Sequence, residues 1–355
     1  MNAALMLSRI ETEMLINLVD LLVAGKHGVD PAEWQLQKLQ QLGRLQSANV
    51  SMIKKNRKEL IRTVKAEISK EAYNRAALID GQMQLAFDDG AKDKLSQVLP
   101  VSADPQIKAV VEKWETAAEK AINKTFATML AKCDEMYTDT IFKAVAKSQM
   151  GMSSRQAIAE ACSEWSQQGL KALTDSAGRT WTPEAYAQTI VRTNSTQAAT
   201  ETQFQRMEEL DEDLVEISSH IGARPKCAPY QGKVFSVSGK SKQFPALSST
   251  SYGEPDGLFG INCRHIMYPY FVGEKKTYKQ QPVKRNESAY KNSQKQRAYE
   301  RSIREAKRNL KILSATKDKD QIAKANELLA KRQNALKSFI STTGRTRRTD
   351  REEIY

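Results

Sequence analysis

Asp104-Pro105-Gln106-Ile107-Lys108-Ala109-Val110-Val111 opens the stretch that decides the fold, because from Gln106 to Met150 the chain has neither proline nor glycine. Aspartate followed by proline is a helix start. The carboxylate accepts from the unbonded amides of the first turn, and proline fixes φ at a position whose amide has no helical partner. At about 1.5 Å per residue, such a run makes one helix spanning most of a domain. The same signal recurs at Asp30-Pro31 and, with threonine as cap, at Thr182-Pro183. The first predicts a helix with the stripe Trp34, Leu39, Leu42 and Leu45, and the second a helix to about Leu210. Ile10, Met14, Leu18, Leu21 and Leu22 predict an opening helix that ends at Gly25, and Ser51 to Leu85 predicts another before Asp88-Asp89-Gly90. After Gly151, Ser153 or Ser154 caps a further helix that closes at Gly169 or Gly178. Cys133 and Cys162 fall inside helices as core residues, and His27 reads as a cation at a helix end.

The character changes at Val215. Val215-Glu-Ile-Ser-Ser and Lys233-Val-Phe-Ser-Val-Ser alternate like short strands, and turn residues cluster at 222–229 and 253–260. Helical sequence returns after Pro282. Ser288 to Leu313 is too polar to show a wide apolar face, whereas Ile322, Ala325, Leu329, Leu336 and Phe339 form a stripe that Gly344 ends. The expected fold is mainly α, with long helices in the N-terminal part, a small, loop-rich α+β module towards the C-terminus and a basic helical tail. The expected segments are 1–210 with a sub-boundary near 88–104, then 214–273, then 284–355.

Of the net charge of +13, +11 sits in the tail: residues 284–355 hold 20 Lys/Arg against 9 Asp/Glu, and the rest of the chain 35 against 33. Mean hydropathy is −0.58. No apolar run reaches the ~18–20 residues of a membrane span, and the best, Leu15 to Ala24, is interrupted by Asp20. Met1 to Arg9 lacks the features of a signal peptide, so synthesis is expected in a cytoplasm that keeps thiols reduced.

His220, Cys227, Cys263 and His265 are two of the chain's three histidines and two of its four cysteines, set among turns. Two thiols and two imidazoles suit tetrahedral zinc, which would tie irregular loops together. Against zinc, Cys263-x-His265 is a tight gap that an extended strand would hold too far apart. The plainer reading is buried thiols and hydrogen-bonded histidines. A Cys–His nucleophile, Cys263 with His220 or Cys227 with His265, oriented by Asn262 or Asp256, is a third, without a protease signature to support it. Arg224, before Pro225, and Arg264 read as turn residues that bond nearby carbonyls, and Gly257 and Gly260 as suppliers of positive φ. In the basic helix, Lys295, Arg297, Arg301, Arg304, Lys307, Arg308 and Lys311 are the candidate contacts to duplex DNA or an acidic partner surface, against a solvated helix with pairs such as Glu300–Arg304.

Ile217-Ser-Ser-His-Ile-Gly-Ala-Arg-Pro225, Tyr230-Gln-Gly232-Lys-Val-Phe235, Tyr252-Gly253, Gly257-Leu-Phe-Gly260-Ile-Asn262-Cys-Arg264-His265 and Tyr268-Pro-Tyr-Phe271 resemble the signature of the phage minor capsid protein 2 family, related to the Mu F-like head-morphogenesis proteins. The likeness extends upstream through Gly178-Arg-Thr-Trp181 and Val191-Arg-Thr193, and downstream from Tyr290 to Arg304. The chain departs from the family's pattern at Phe259, where many relatives carry cysteine. The resemblance implies a virion protein present in few copies, at the head interior or portal region. It would be recruited through the portal protein, would meet major capsid and scaffold proteins, and would assist packaging or delivery of genomic double-stranded DNA, with no membrane role. The wider group includes toxin and ADP-ribosyltransferase-like domains, which implies an enzymatic effector or hydrolase as the alternative. The chain has no arginine-serine-glutamate or histidine-tyrosine-glutamate set to support that transferase chemistry.

Overall fold

The computed structural model describes residues 2–25, 30–90, 97–175 and 178–354. His27 lies outside the described residues. The architecture is mainly α with small β sheets: α1 (Ala3–Val23), α2 (Pro31–Gln40), α3 (Leu42–Asp88), α4 (Pro105–Gln149) and α5 (Ser154–Ser166), then β1 (Leu173–Thr174), β2 (Thr180–Trp181) and α6 (Pro183–Glu209). The chain continues with β3 (Leu214–Ile217), β4 (Val234–Ser236), β5 (Met267–Pro269), α7 (Val283–Thr316) and α8 (Lys319–Thr343). Among the described residues no helix is long and apolar enough to cross a membrane.

The start signals work by the capping chemistry that suggested them. Asp30 accepts from the amides of Ala32 and Glu33 at 2.9 and 3.2 Å, and Asp104 from those of Gln106 and Ile107 at 2.8 and 3.2 Å. Thr182 accepts from Ala185, and Ser153 from Gln156, both at 3.3 Å. Gly344 ends α8 in the left-handed region at φ 63°. The second and third expected helices divide differently: α2 ends at Gln40, and α3 runs unbroken through Gly43 and Gly81. Val64, Ile68, Ala72, Ala76, Ile79 and Met83 are each at most 1% exposed. Burying that stripe outweighs the ~1 kcal/mol a helical glycine costs.

The chain forms two compact units, one of Met1–Ile61, Ile122–Gln188 and Gln294–Tyr355, the other of Arg62–Ala121 and Thr189–Ser293. The linear segments 1–210, 214–273 and 284–355 therefore do not coincide with the units. Composition changes along the chain, whereas packing groups whichever helix faces are apolar.

In the first unit α1 packs on α5 and α5 on α8. The α1 face of Leu7, Ile10, Met14, Leu18 and Leu22 is buried. The buried Lys38 of α2 donates to the last-turn carbonyls Leu21 O and Ala24 O, both at 2.6 Å, so a cation from another helix satisfies the end of α1. Burial lowers the Lys38 pKa. The two-stranded β1–β2 ribbon is antiparallel, and Asp175 beside it accepts from the Trp181 indole at 3.1 Å and from the Arg179 amide at 2.9 Å. These bonds, the indole first, depress the Asp175 pKa to about 2.

The same unit holds an ion pair at its centre. Glu11 and Arg308, 0% and 2% exposed, meet at 3.1 Å. Glu11 also accepts from the Leu170 amide at 2.8 Å. A Cβ on Gly169, at φ 68°, would lie 2.3 Å from the Glu11 carboxylate, so glycine lets the backbone close over the pair. Sequence between Ser288 and Leu313 showed no wide apolar face, yet α7 buries Ile303, Ala306, Arg308, Asn309, Ile312 and Leu313. Its buried side is made partly of polar groups with partners, which an apolar periodicity cannot register.

The second unit is tied by Arg206, 1% exposed, which donates through Nη2 to Asp80 and to Leu99 O at 2.7 Å each and through Nη1 to Glu209 at 2.8 Å. Its three-stranded antiparallel sheet has the order β4-β3-β5. Pro269 sits on the edge strand β5, where its missing amide breaks no inner ladder.

Leaving one half of a buried pair without its partner costs about 3–5 kcal/mol. Arg308→Met and Glu11→Leu are each expected to lose stability of that order, and the double variant to recover part of it. Denaturant midpoints of the three proteins check this.

Candidate functional site

Three strands of three or four residues cannot hold a core by ladder bonds alone, so the module at 214–293 is assembled from its loops. Its apolar centre joins Val215, Ile217, Phe235 and Met267 from the strands with Leu247, Leu258, Phe259 and Phe271 from the loops, and Ile79, Met83, Met207 and Leu210 from α3 and α6 belong to the same cluster. Cys227 and Cys263 are also members of it.

Side chains then cross-link the loops to one another. Asn286, 3% exposed, accepts from the amides of Gly222 and Ala223 at 2.8 and 2.9 Å and donates to Ala223 O at 2.9 Å. Gln231 accepts from the His220 amide at 2.6 Å, and the Ser218 hydroxyl accepts from the Ile266 amide at 2.8 Å. Glu216, 3% exposed, accepts from the amides of Thr277 and Tyr278 at 2.9 and 2.7 Å. From α6, Gln197 donates to Phe259 O at 2.9 Å and Gln203 to Met267 O at 3.0 Å. None of these residues was singled out from sequence. An isolated Asn, Gln or Glu carries no periodic signal, and its partners are backbone groups up to 64 positions away.

Arg224 donates to Ile261 O at 2.9 Å and Gly257 O at 3.3 Å, joining two loops through their carbonyls. Pro225 is exposed in the turn in which Arg224 O accepts from Cys227 and Ala228. Arg264 is exposed, and Asn262 reaches the Thr189 hydroxyl at 3.4 Å. Gly232 has φ 64°, and a Cβ there would lie 2.7 Å from Tyr278 O.

Gly257 and Gly260 correct the expectation of positive φ, since the residues in the left-handed region here are Phe259 (57°) and Asn262 (58°). The two glycines are needed for close approach instead. A Cβ on Gly257 would stand 1.9 Å from Ser251 O, and one on Gly260 2.5 Å from Glu254 O.

The left-handed turn through Asn262 sets up the Cys/His cluster. Cys263 Sγ and His265 Nδ1 are 3.4 Å apart, so the tight Cys-x-His gap does not separate them. Donor atoms of Cys227, Cys263 and His265 all lie within 4.8 Å of one another. The His220 ring stacks on His265, with centroids 4.5 Å apart and planes 26° from parallel. Each imidazole is hydrogen-bonded through Nδ1, His220 with Ile221 O at 3.4 Å and His265 with Cys263 Sγ, while Nε2 of each is buried without a partner. Cys227 hydrogen-bonds Cys263, holding the Cys263 thiol well below its ordinary pKa range and pushing Cys227 above its own. Burial, and then the neighbouring His265, lowers the His220 pKa. Cys133 and Cys162 are buried in the other unit, where desolvation pushes Cys133 up to about 12 and Cys162 higher still.

The basic residues of α7 divide by exposure. Arg308 is buried against Glu11, which removes it from the set expected to meet a partner. Arg304 pairs with Glu184 at 2.8 Å, and Lys307 with Glu353 at 2.9 Å, both partly buried. Lys295, Arg301 and Lys311 are exposed, with Lys295 5.5 Å over the Phe339 ring, while Arg297 is half-buried.

Residues 2–341 match the family described as phage minor capsid protein 2, and the chain belongs to that family. It is 26% identical over 340 residues to a structural protein of Lactococcus phage LL-H, covering 91% of this chain and 89% of that one. It is 32% identical over 117 residues to a structural protein of Lactococcus phage mv4, covering 32% of this chain and 93% of that one. No solved structure matches the chain. The protein is thus a phage structural protein with a role in the virion.

Because the atom that a Cβ at 257 would strike is backbone, Gly257→Ala is expected to destabilise the module by at least about 1–3 kcal/mol. Gly43→Ala, whose Cβ meets nothing within 4 Å, is the control expected to be neutral or stabilising. Thermal melts of the two variants beside the parent check the contrast.

Proposed function

We propose that this protein is a minor head component that joins the particle through the portal protein and the assembling procapsid, and assists packaging or delivery of the genome. The carrying observation is the family match over residues 2–341, nearly the whole chain. Supporting it, the polar side chains of the 214–293 module are directed at its own loops, as suits a rigid docking body. A Cys–His nucleophile, Cys263 with His220 or Cys227 with His265, is disfavoured because the two thiols are 7% and 1% exposed, leaving a substrate little approach.

Contact with duplex DNA forms the second part of the proposal. Lys284, Arg285, Lys291, Lys295, Arg301 and Lys311 keep their side chains exposed along α7, while Arg304, Lys307 and Arg308 are engaged within the protein. Exposed cations without a reading motif neutralise phosphates irrespective of sequence.

Mass spectrometry of purified particles is expected to find the chain in low copy, and co-purification with the portal protein to succeed before head maturation. Absence from particles would remove the proposal. For DNA, replacing Lys295, Arg301 and Lys311 together by glutamine is expected to weaken duplex binding equally on unrelated sequences and to reduce the log–log salt slope by about 3. An unchanged slope would leave the head role without its DNA contact.

A further inference from the structure

His220 and Cys227 come from the connection between β3 and β4, and Cys263 and His265 from the one that leads into β5, yet they gather in one buried place. The separation of 3.4 Å between Cys263 Sγ and His265 Nδ1 is close to a tetrahedron edge spanned by Zn–S bonds of ~2.3 Å and Zn–N bonds of ~2.0–2.1 Å. The second sulfur, Cys227 Sγ, lies within 4.8 Å of both. Packing alone explains two buried thiols, since cysteine is a small hydrophobe. It does not explain an imidazole nitrogen of His265 set against those thiols with a second imidazole stacked on it, that of His220, whose Nε2 is buried and unpartnered, because burying polar atoms without partners costs free energy. Metal coordination would give such a donor set a purpose. Two thiolates and two neutral imidazoles around a divalent cation also carry no net charge, which suits a site whose cysteines belong to an apolar cluster.

The surrounding bonds hold the ligand loops in place before any ion arrives. Gln231 fixes the backbone of His220, Arg224 ties its own loop to the carbonyls at 257 and 261, and Ser218 holds Ile266 beside His265. Mixed sulfur and nitrogen donors in tetrahedral reach select zinc over the hard cations magnesium and calcium, which take oxygen.

We propose that Cys227, Cys263 and His265 bind a structural zinc ion, with His220 turning out of its stack on His265 to complete the tetrahedron. The ion would staple two parts of the β3–β4 connection, 218–222 and 224–230, to the 260–266 loop. Its role would be mechanical, closing a module whose strands are too short to close it.

The test uses the full chain without a histidine tag, produced in zinc-supplemented medium and purified under reducing conditions. Inductively coupled plasma mass spectrometry is expected to find one zinc per chain, and a strong chelator to remove it with a lower Tm. Cobalt added to the stripped protein is expected to give the visible bands of a tetrahedral site and a thiolate charge-transfer band in the near ultraviolet. Cys227→Ala and Cys263→Ala should lose the metal, Cys162→Ala should keep it, and His220→Ala should keep the thiolate band but yield zinc to a weaker chelator. Parent protein that carries no zinc above the Cys227→Ala background and shows no cobalt spectrum would overturn the proposal. So would retention of a full zinc complement in both cysteine variants. Should those variants fail to fold, the stoichiometry and cobalt spectrum of the parent decide the matter alone.

Discussion

A carboxylate and a guanidinium shut away from water organise the first unit. Glu11 from α1 and Arg308 from α7 lie at opposite ends of the chain, and Leu170, from the segment between, donates its amide to the same carboxylate. Such a pair gains little over an apolar substitute, but losing half of it strands a charge in a medium that cannot solvate it. It therefore acts as a constraint on which helices meet and in what register. Gly169 is part of the same arrangement, since any side chain there would occupy the space of the carboxylate.

The same economy of polar groups governs the 214–293 module. Its β strands supply few backbone bonds, and the loops are held by Asn286, Gln231, Glu216, Arg224 and two glutamines of α6, each paired with backbone. Phe259 and Asn262 stay in the left-handed region because the structure around them takes up their groups: Gln197 binds Phe259 O, and the Phe259 ring is buried in the apolar cluster. The chain passes through these two left-handed positions just before Cys263 and His265, which stand 3.4 Å apart. The cluster of cysteines and histidines and the braced loops are thus one device.

The basic tail illustrates how charge counts mislead about surfaces. The excess of positive charge in residues 284–355 is a property of composition, and half of its most suggestive arginines are used to build the protein. What is left for a partner is the subset of lysines and arginines whose exposure the fold permits. The family resemblance was legible in the words between residues 217 and 271, several of which name residues the module uses for close approach and bracing, Gly257, Gly260 and Arg224 among them.

Sequence alone determined that the chain is mainly helical, where most helices start, and that a turn-rich module interrupts them. Each of these follows from interactions within a few residues: a cap at Asp104, a proline after it, a glycine at 344. It also exposed Cys227, Cys263, His220 and His265 as a set, because those residue types are rare in this chain. Tertiary structure alone decided that α3 runs past Gly43 and Gly81, that two units are each assembled from separated stretches, and that Arg308 is inside. It alone decided that Gly257 and Gly260 serve close approach and that Cys263 meets His265. These outcomes depend on partners tens to hundreds of positions away, and no local pattern records the atom that will lie against a given backbone or charge.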